Sequence, residues 1–350
     1  VFFFFGPTMT TTTTSHSSGS GKVFVGCSTI PSRLPKINHV LDQFARQTVL
    51  TSMPDFQFTF VLSVPTHSKR EGGVPYDLEF ARETLDTKRD EIRKRSPGVN
   101  MVVSVLDDDY GPLCKLLGIL MVCSDPGDVV ITIDDDQEYD PRLVDTLLRG
   151  ILVDHPGNAV CLCGHSLGRF GAWGFRSSGF DCNPVAKLFQ LPAPSEVDIV
   201  SGWCGVAYLA GMFIEFRSRS TTTATPGLLR IDPILERLRE RPSTGLHRND
   251  DLYISAWLWS LGVRKTLIKF DGDGGHVQRE TKEVGSTNPL RLAGSSSEIL
   301  GNARHFVEWW KLIRTLRDYG YLAPPRRHAV PVSSNITAMA AATGLAALGA

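Results

Sequence analysis

Ile131-Thr132-Ile133-Asp134-Asp135-Asp136 is a short β-branched apolar run that ends in three consecutive carboxylates. The apolar half reads as a buried strand. The acidic half needs a cation beside it, because carboxylates a few ångströms apart raise one another's proton affinity or recruit a counter-ion. Oxygen-only ligands at a strand end suit a hard divalent ion such as Mg²⁺ or Mn²⁺, which keeps positions open for substrate phosphates. The plain alternative is a solvated acidic turn, since Gln137-Glu138-Tyr139-Asp140-Pro141 continues in a polar, turn-like way.

Around this stretch the chain alternates short β-rich runs with longer amphipathic ones, the signature of βαβ units and a largely parallel sheet. Strands are expected over residues 23–27, 58–64, 101–106, 129–133 and 159–163, with helices over 37–48, 76–95, 113–123 and 141–153. Further on, 197–200 and 203–208 read as short strands around a Gly-rich turn, 250–261 as a helix with Tyr253, Ile254, Trp257 and Leu258 inward, and 263–268 as a strand. Residues 164–194 are rich in Gly, Phe, Trp and Ser without periodicity, a long irregular stretch of the kind that carries function. A loop and helix are expected over 221–241, and a closing helix over 296–317. The fold class is therefore α/β, a doubly wound, mostly parallel sheet flanked by helices.

Open α/β sheets bind ligands at the carboxyl ends of their strands, which is where the Asp triplet falls. The first strand runs into Ser28-Thr29-Ile30-Pro31-Ser32-Arg33 at the same edge, a polar loop whose Thr29 and Arg33 suit a nucleotide base or diphosphate. Asp109-Tyr110-Gly111-Pro112 is a third edge loop, and Lys115 follows it at the start of a helix whose amides favour anions, as a candidate phosphate contact.

These loops together resemble the nucleotide-sugar half of glycosyltransferases with the GT-A fold, in particular the family 2-like group. The resemblance spans about residues 22–268. It implies that the triplet is the family's D-x-D motif, with Asp136 on the metal that bridges the donor diphosphate, Asp134 toward the ribose or base and also in the metal's reach, and Asp135 between them as a further nucleotide-binding residue. Asp198-Ile199-Val200-Ser201-Gly202-Trp203-Cys204-Gly205-Val206-Ala207-Tyr208 is similar to the family's acceptor segment, in which an aromatic packs against a sugar, so Trp203 is the stacking candidate. Asn249-Asp250-Asp251-Leu252 matches the acidic motif that opens a helix and supplies the general base of inverting members. On that match Asp251 is the base, with Asp250 beside it. Carboxylates at a helix start are also ordinary caps. The resemblance puts a late histidine, His276, on the metal as well.

The implied activity is metal-dependent transfer of a sugar, with inversion, from a nucleotide-sugar donor to a glycan, lipid or protein hydroxyl. The alternatives are a nucleotidyltransferase, which Ser-Thr-Ile-Pro-Ser-Arg disfavours because it lacks the Gly-rich basic loop of that class, and a non-catalytic nucleotide- or sugar-binding relative. Gly19-Ser20-Gly21-Lys22 fails as a phosphate-binding loop, with Val23 where Ser/Thr is needed, and Gly164-His165-Ser166-Leu167-Gly168 lacks the strand-to-helix turn of a nucleophile elbow.

Thirty-seven basic and 37 acidic residues cancel, so no global field attracts nucleic acid. Seven scattered cysteines lack paired C-x2-C clusters, so buried free thiols are expected. One disulfide is compatible with a lumenal setting, but its pairing is not assigned by spacing. Residues 1–21 read either as the stump of a signal anchor, Val1 to Phe5, with a Thr/Ser stem, or as a disordered leader. The first reading implies a membrane tether and a Golgi lumenal, type II location; the second a cytoplasmic one. The expected organisation is a glycosyltransferase domain over 22–320, with a nucleotide-sugar half over 22–163 and an acceptor half over 164–320, and a disordered tail over 321–350.

Overall fold

A computed structural model describes residues 21–167, 175–177, 193–215, 228–229, 250–270 and 277–280. The loop and helix expected over 221–241, apart from the short strand Leu228–Leu229, the helix over 296–317, the leader before residue 21, most of the 164–194 stretch, the 321–350 tail, Asn249 and His276 lie outside the described residues.

Eight strands form the central sheet: β1 Lys22–Cys27, β2 Gln57–Pro65, β3 Val99–Leu106, β4 Val129–Thr132, β5 Ala159–Cys161, β6 Ser195–Glu196, β7 Val206–Leu209 and β8 Lys265–Leu267. Their order is β6-β8-β5-β7-β4-β1-β2-β3. β1 pairs in parallel with β2 on one side and β4 on the other, and β2 pairs in parallel with β3. β7 runs antiparallel between β4 and β5. The chain thus walks outward from β1 to β3, then returns across β1 to lay down β4. That reversal opens a crevice beyond the carboxyl ends of β1 and β4. The doubly wound, mostly parallel α/β sheet expected from the sequence is present, and strands from both sides of residue 163 share it.

β4 is buried at all four residues, as a β-branched strand covered on both faces must be. The helices follow from their patterns. α1 (Asn38–Ala45) and α2 (Leu78–Arg93) are amphipathic, and Asp77 caps α2 by accepting the Phe80 N–H at 2.9 Å. α3 (Cys114–Val122) is apolar nearly all round and buried from Cys114 through Leu120, the mark of an interior helix. It lies close on the sheet because Gly118 faces Ser63 of β2, where a Cβ would overlap the serine hydroxyl. This approach sets Lys115, one turn earlier, at the crevice.

α4 (Leu143–Arg149) starts later than Pro141, and its end widens into one π-type turn, Gly150–Asp154. The delay has a local cause: the Asp140 carboxylate accepts the Arg142 N–H at 2.8 Å, and the Pro141 carbonyl accepts the Thr48 N–H at 2.8 Å. α5 (Asp250–Ser260) buries Tyr253, Ile254, Trp257 and Leu258 as expected.

Residues 203–208 are not one strand. Gly202–Cys204 forms a 3₁₀ turn and the strand begins only at Val206. Gly202 N–H is diverted to the Asp251 side chain and the Gly205 N–H closes the turn onto the Gly202 carbonyl at 3.0 Å, while Cys204 is bonded through its side chain to Cys163. This disulfide is the one bridge whose pairing spacing left unassigned, while Cys27, Cys114 and Cys161 are buried free thiols. No helix among the described residues is long and apolar enough to cross a membrane.

Candidate active site

The cations demanded by the Asp triplet are supplied by the chain itself. Arg33, buried in the turn after β1, sets its Nη1 2.7 Å from Asp135 Oδ1 and 3.3 Å from Asp136 Oδ2. Thr29 Oγ1 donates to the second Asp135 oxygen at 2.6 Å. Asp135 is therefore locked from both sides. Burial lifts its carboxyl to about 6, with Asp136 adding to the rise and Arg33 and Thr29 opposing it. Thr29 is fixed in turn by Tyr76, whose hydroxyl donates to the Thr29 carbonyl at 2.8 Å.

Lys115 serves the other end of the triplet. Its ammonium lies 2.6 Å from Asp134 Oδ1 and 2.8 Å from Asp250 Oδ2. The second approach falls outside hydrogen-bond geometry and acts as an ion pair. At 2% exposure, the lysine is sealed from water. Burial alone would lower its proton affinity, but Asp134, Asp250 and Asp251 outweigh that and hold it charged above the ordinary lysine range. The ammonium expected at a phosphate thus sits on carboxylates, and so does the guanidinium expected at a nucleotide.

Asp251 meets the same cluster. Its Oδ1 accepts the Gly202 N–H at 2.7 Å. A Cβ on Gly202 would meet Asp251 Oδ1 and Lys115 Nζ at 2.9 Å each, so glycine is what lets the turn, the carboxylate and the ammonium converge. Burial, then the charge of Asp250, push the Asp251 carboxyl well above the usual carboxylate range, against the pull of Lys115 and the Gly202 amide. Trp203 follows on the turn, half-buried and packed against the core.

Two residues that the sequence reading passed over organise the site. Tyr139 accepts the Asp134 N–H at 2.8 Å and donates to the Trp203 carbonyl at 3.0 Å, tying the acidic strand end to the Trp203 turn. Gln43, on α1, accepts the Tyr139 N–H at 2.6 Å and donates to the Gln137 carbonyl at 2.8 Å. Gln43, on the buried stripe of α1, and Gln47, just past the helix end, are buried polar residues four apart, and that break in the apolar pattern is the signal that would have found them.

Between the first and third edge loops lies a small polar pocket lined by Thr29, Arg33, Tyr76, Asp109 and Asp135. Arg33 Nε is buried there with no hydrogen-bond partner among the described residues. Asp109 is structural, its carboxylate accepting the Lys69 and Gly111 amides at 2.7 Å each.

As to a divalent metal, Asp134 and Asp136 keep 30% and 18% side-chain exposure against 10% for Asp135, so the outer two face the crevice and the middle one is locked. No third His, Cys, Asp or Glu joins them in a metal-binding group among the described residues. Two carboxylates fit an ion of the Mg²⁺ type that completes its shell with water and substrate phosphates.

No protein-family model matches the chain, and no curated protein matches it. Solved structures do align with it. The mannosyltransferase PcManGT from Pyrobaculum calidifontis, in complex with GDP-Man and Mn²⁺, covers 94% of this chain and 78% of its own, at 17% identity and a TM-score of 0.42. S. aureus TarS 1–349 in complex with UDP covers 73% of this chain and 59% of its own, at 13% identity and a TM-score of 0.36. A second S. aureus TarS structure covers 73% of this chain and 36% of its own, at 14% identity and a TM-score of 0.38. These are likenesses of outline, and the functional reading below stands on the site.

Proposed function

We propose that the chain transfers a sugar from a nucleotide-sugar donor to a hydroxyl acceptor, with inversion, at the crevice beyond β1 and β4. One observation carries this reading: Lys115 lies within 2.8 Å of both Asp134 and Asp250, so the acidic end of β4 and the carboxylates that open α5 share one cleft although far apart in sequence. Donor and base machinery must meet in this way for an acceptor oxygen to reach an anomeric carbon.

In this reading Asp251 takes the proton of the acceptor hydroxyl as its oxygen bonds to the anomeric carbon. The bond from that carbon to the diphosphate breaks on the opposite face, which inverts the centre. A carboxylate that binds its proton unusually firmly is matched to this task near neutral pH. Gly202 N–H orients it, and Asp250 with Lys115 fixes the helix start on which it stands. Trp203 offers an apolar face for the acceptor sugar. Asp136 and Asp134 would hold the divalent cation, and that ion would offset the charge that grows on the departing diphosphate. The orphaned Arg33 Nε is a donor for a carbonyl or phosphate oxygen in the pocket beside Thr29.

The test is release of nucleoside diphosphate by purified protein with Mn²⁺ across a panel of nucleotide sugars. Undiminished turnover in Asp251→Asn would sink the base, and undiminished turnover in Asp136→Ala the metal site.

A second reading, a non-catalytic nucleotide-sugar binder, is favoured by the internal neutralisation of the triplet: Asp134, Asp135 and Asp136 all have partners within the chain. Nucleotide binding by calorimetry, with no turnover on any donor, would establish it.

A further inference from the structure

A lysine at 2% exposure on an otherwise apolar helix is costly to bury, and holding the start of α5 does not by itself require a charge between two carboxylates. Its surroundings give it a task. The ammonium stands between Asp134, at the end of β4, and Asp250, at the start of α5. It also lies against the Gly202 turn that holds Asp251. Lysine is a compact charge on a flexible four-carbon stem, so its position answers to the balance of charge around it.

We propose that Lys115 is a positioning residue that couples the acidic end of β4 to the Asp250–Asp251 pair, so that whatever engages Asp134 changes how readily Asp251 accepts a proton. The proposal rests on the reading of Asp251 as the base and adds an order of events to it.

The groups that act on Asp251 are few. From its own helix comes Asp250, from α3 Lys115, from the end of β4 Asp134, and from the turn the Gly202 amide. Tyr208 of β7 and Cys161 of β5 are nearby and neutral, since burial raises both. Two of the charged groups respond to an incoming cation, and they respond in the same direction. A cation at Asp134 cancels a negative charge that favours the protonated form of Asp251. It also competes for the ammonium's partner, leaving Lys115 to Asp250 and Asp251, where positive charge favours the ionised form. Asp251 therefore keeps its proton while the donor side is empty and becomes a competent base when that side is filled. Such a device ties the readiness of the base to occupation of the donor side.

The coupling is measured without a substrate. In the full chain labelled with ¹³C at aspartate carboxyls, the Asp251 titration is assigned by its loss in Asp251→Asn. Asp134→Asn mimics an engaged, neutralised Asp134, and its Asp251 midpoint should fall by about one pH unit. Lys115→Met should raise the midpoint by about one unit, and Lys115→Arg, which keeps the charge, should stay nearer the wild type. Adding Mg²⁺ to the wild type should move the midpoint in the same direction as Asp134→Asn. If Lys115→Met does not fold, Asp134→Asn and the Mg²⁺ titration decide the matter. Midpoints that stay in place in Asp134→Asn and under Mg²⁺ overturn the coupling. The two readings fail separately: a coupled titration with no turnover on any nucleotide sugar removes the transferase reading and leaves the coupling. Turnover with an uncoupled Asp251 does the reverse.

Discussion

The hydroxyl of Tyr139 accepts the backbone N–H of Asp134 at 2.8 Å. Through the same oxygen it donates to the Trp203 carbonyl, so one phenol sets the spacing between the acidic strand end and the turn that carries Trp203. Tyr139→Phe leaves both backbone groups without this partner at a cost of about 1–3 kcal/mol. Turnover should fall about 10- to 100-fold as the two halves lose registration. Thermal melting and nucleoside diphosphate release, measured on the same preparation, check the pair of effects, and unaltered turnover would leave the hydroxyl a purely structural role.

The middle and last carboxylates of the triplet should separate by phenotype. Asp135→Ala strips Arg33 of its nearest counter-charge in a buried setting and should cost about 3–5 kcal/mol. Asp136→Ala removes a more exposed carboxylate at 3.3 Å from the same guanidinium, so its melting should stay within about 1 kcal/mol of wild type while Mn²⁺-stimulated turnover disappears. Equal damage to folding in both variants would refute the division of labour.

Asp251 makes stability depend on pH in a definite direction. Its carboxyl binds a proton more tightly in the folded chain than in the unfolded one, so the folded state holds the extra proton. Its contribution is fullest below the unfolded value of about 3.9 and is lost as pH rises through the raised folded value. Asp251→Asn escapes that loss. Calorimetry should find the variant melting roughly 2–4 °C above wild type at pH 8 and level with it at pH 4. Its turnover should be about 10²- to 10⁴-fold lower.

The Cys163–Cys204 bond spans 41 residues and anchors the turn that bears Trp203 to the end of β5. In the chain-entropy account, closing a loop of that length contributes about 4 kcal/mol. Melting in the presence and absence of dithiothreitol should show a clear drop on reduction, and Cys204→Ala should melt at the reduced value whether or not reductant is added.

Much of the sheet could be read from sequence because its strands and helices announce themselves within a few residues: β4 by its unbroken β-branched run, α3 by its apolar circumference, α5 by its acidic start and buried aromatics. The edge loops that form the site were legible for the same reason, since each directly follows a strand. What escaped was the pairing. That Arg33 and Lys115 face carboxylates, that Tyr139 bridges two segments and that Cys163 finds Cys204 are facts about residues far apart in the chain, with no local pattern to betray them. Trp203 and Cys204 were read as strand for a related reason: they sit in the 3₁₀ turn Gly202–Cys204, whose first amide is held by a side chain from α5.

The contact of Gly118 with Ser63 has a reach beyond packing. The carboxylates and Lys115 meet at the crevice, while this contact lies behind them, on the sheet side of α3. A single added methyl there would prise the helix from its seat and carry the ammonium with it, detuning the carboxylates without altering any surface that a substrate touches. Anyone wishing to retune this cleft therefore has a handle at its back wall, where changes in helix seating act on the carboxylates through the lysine they share.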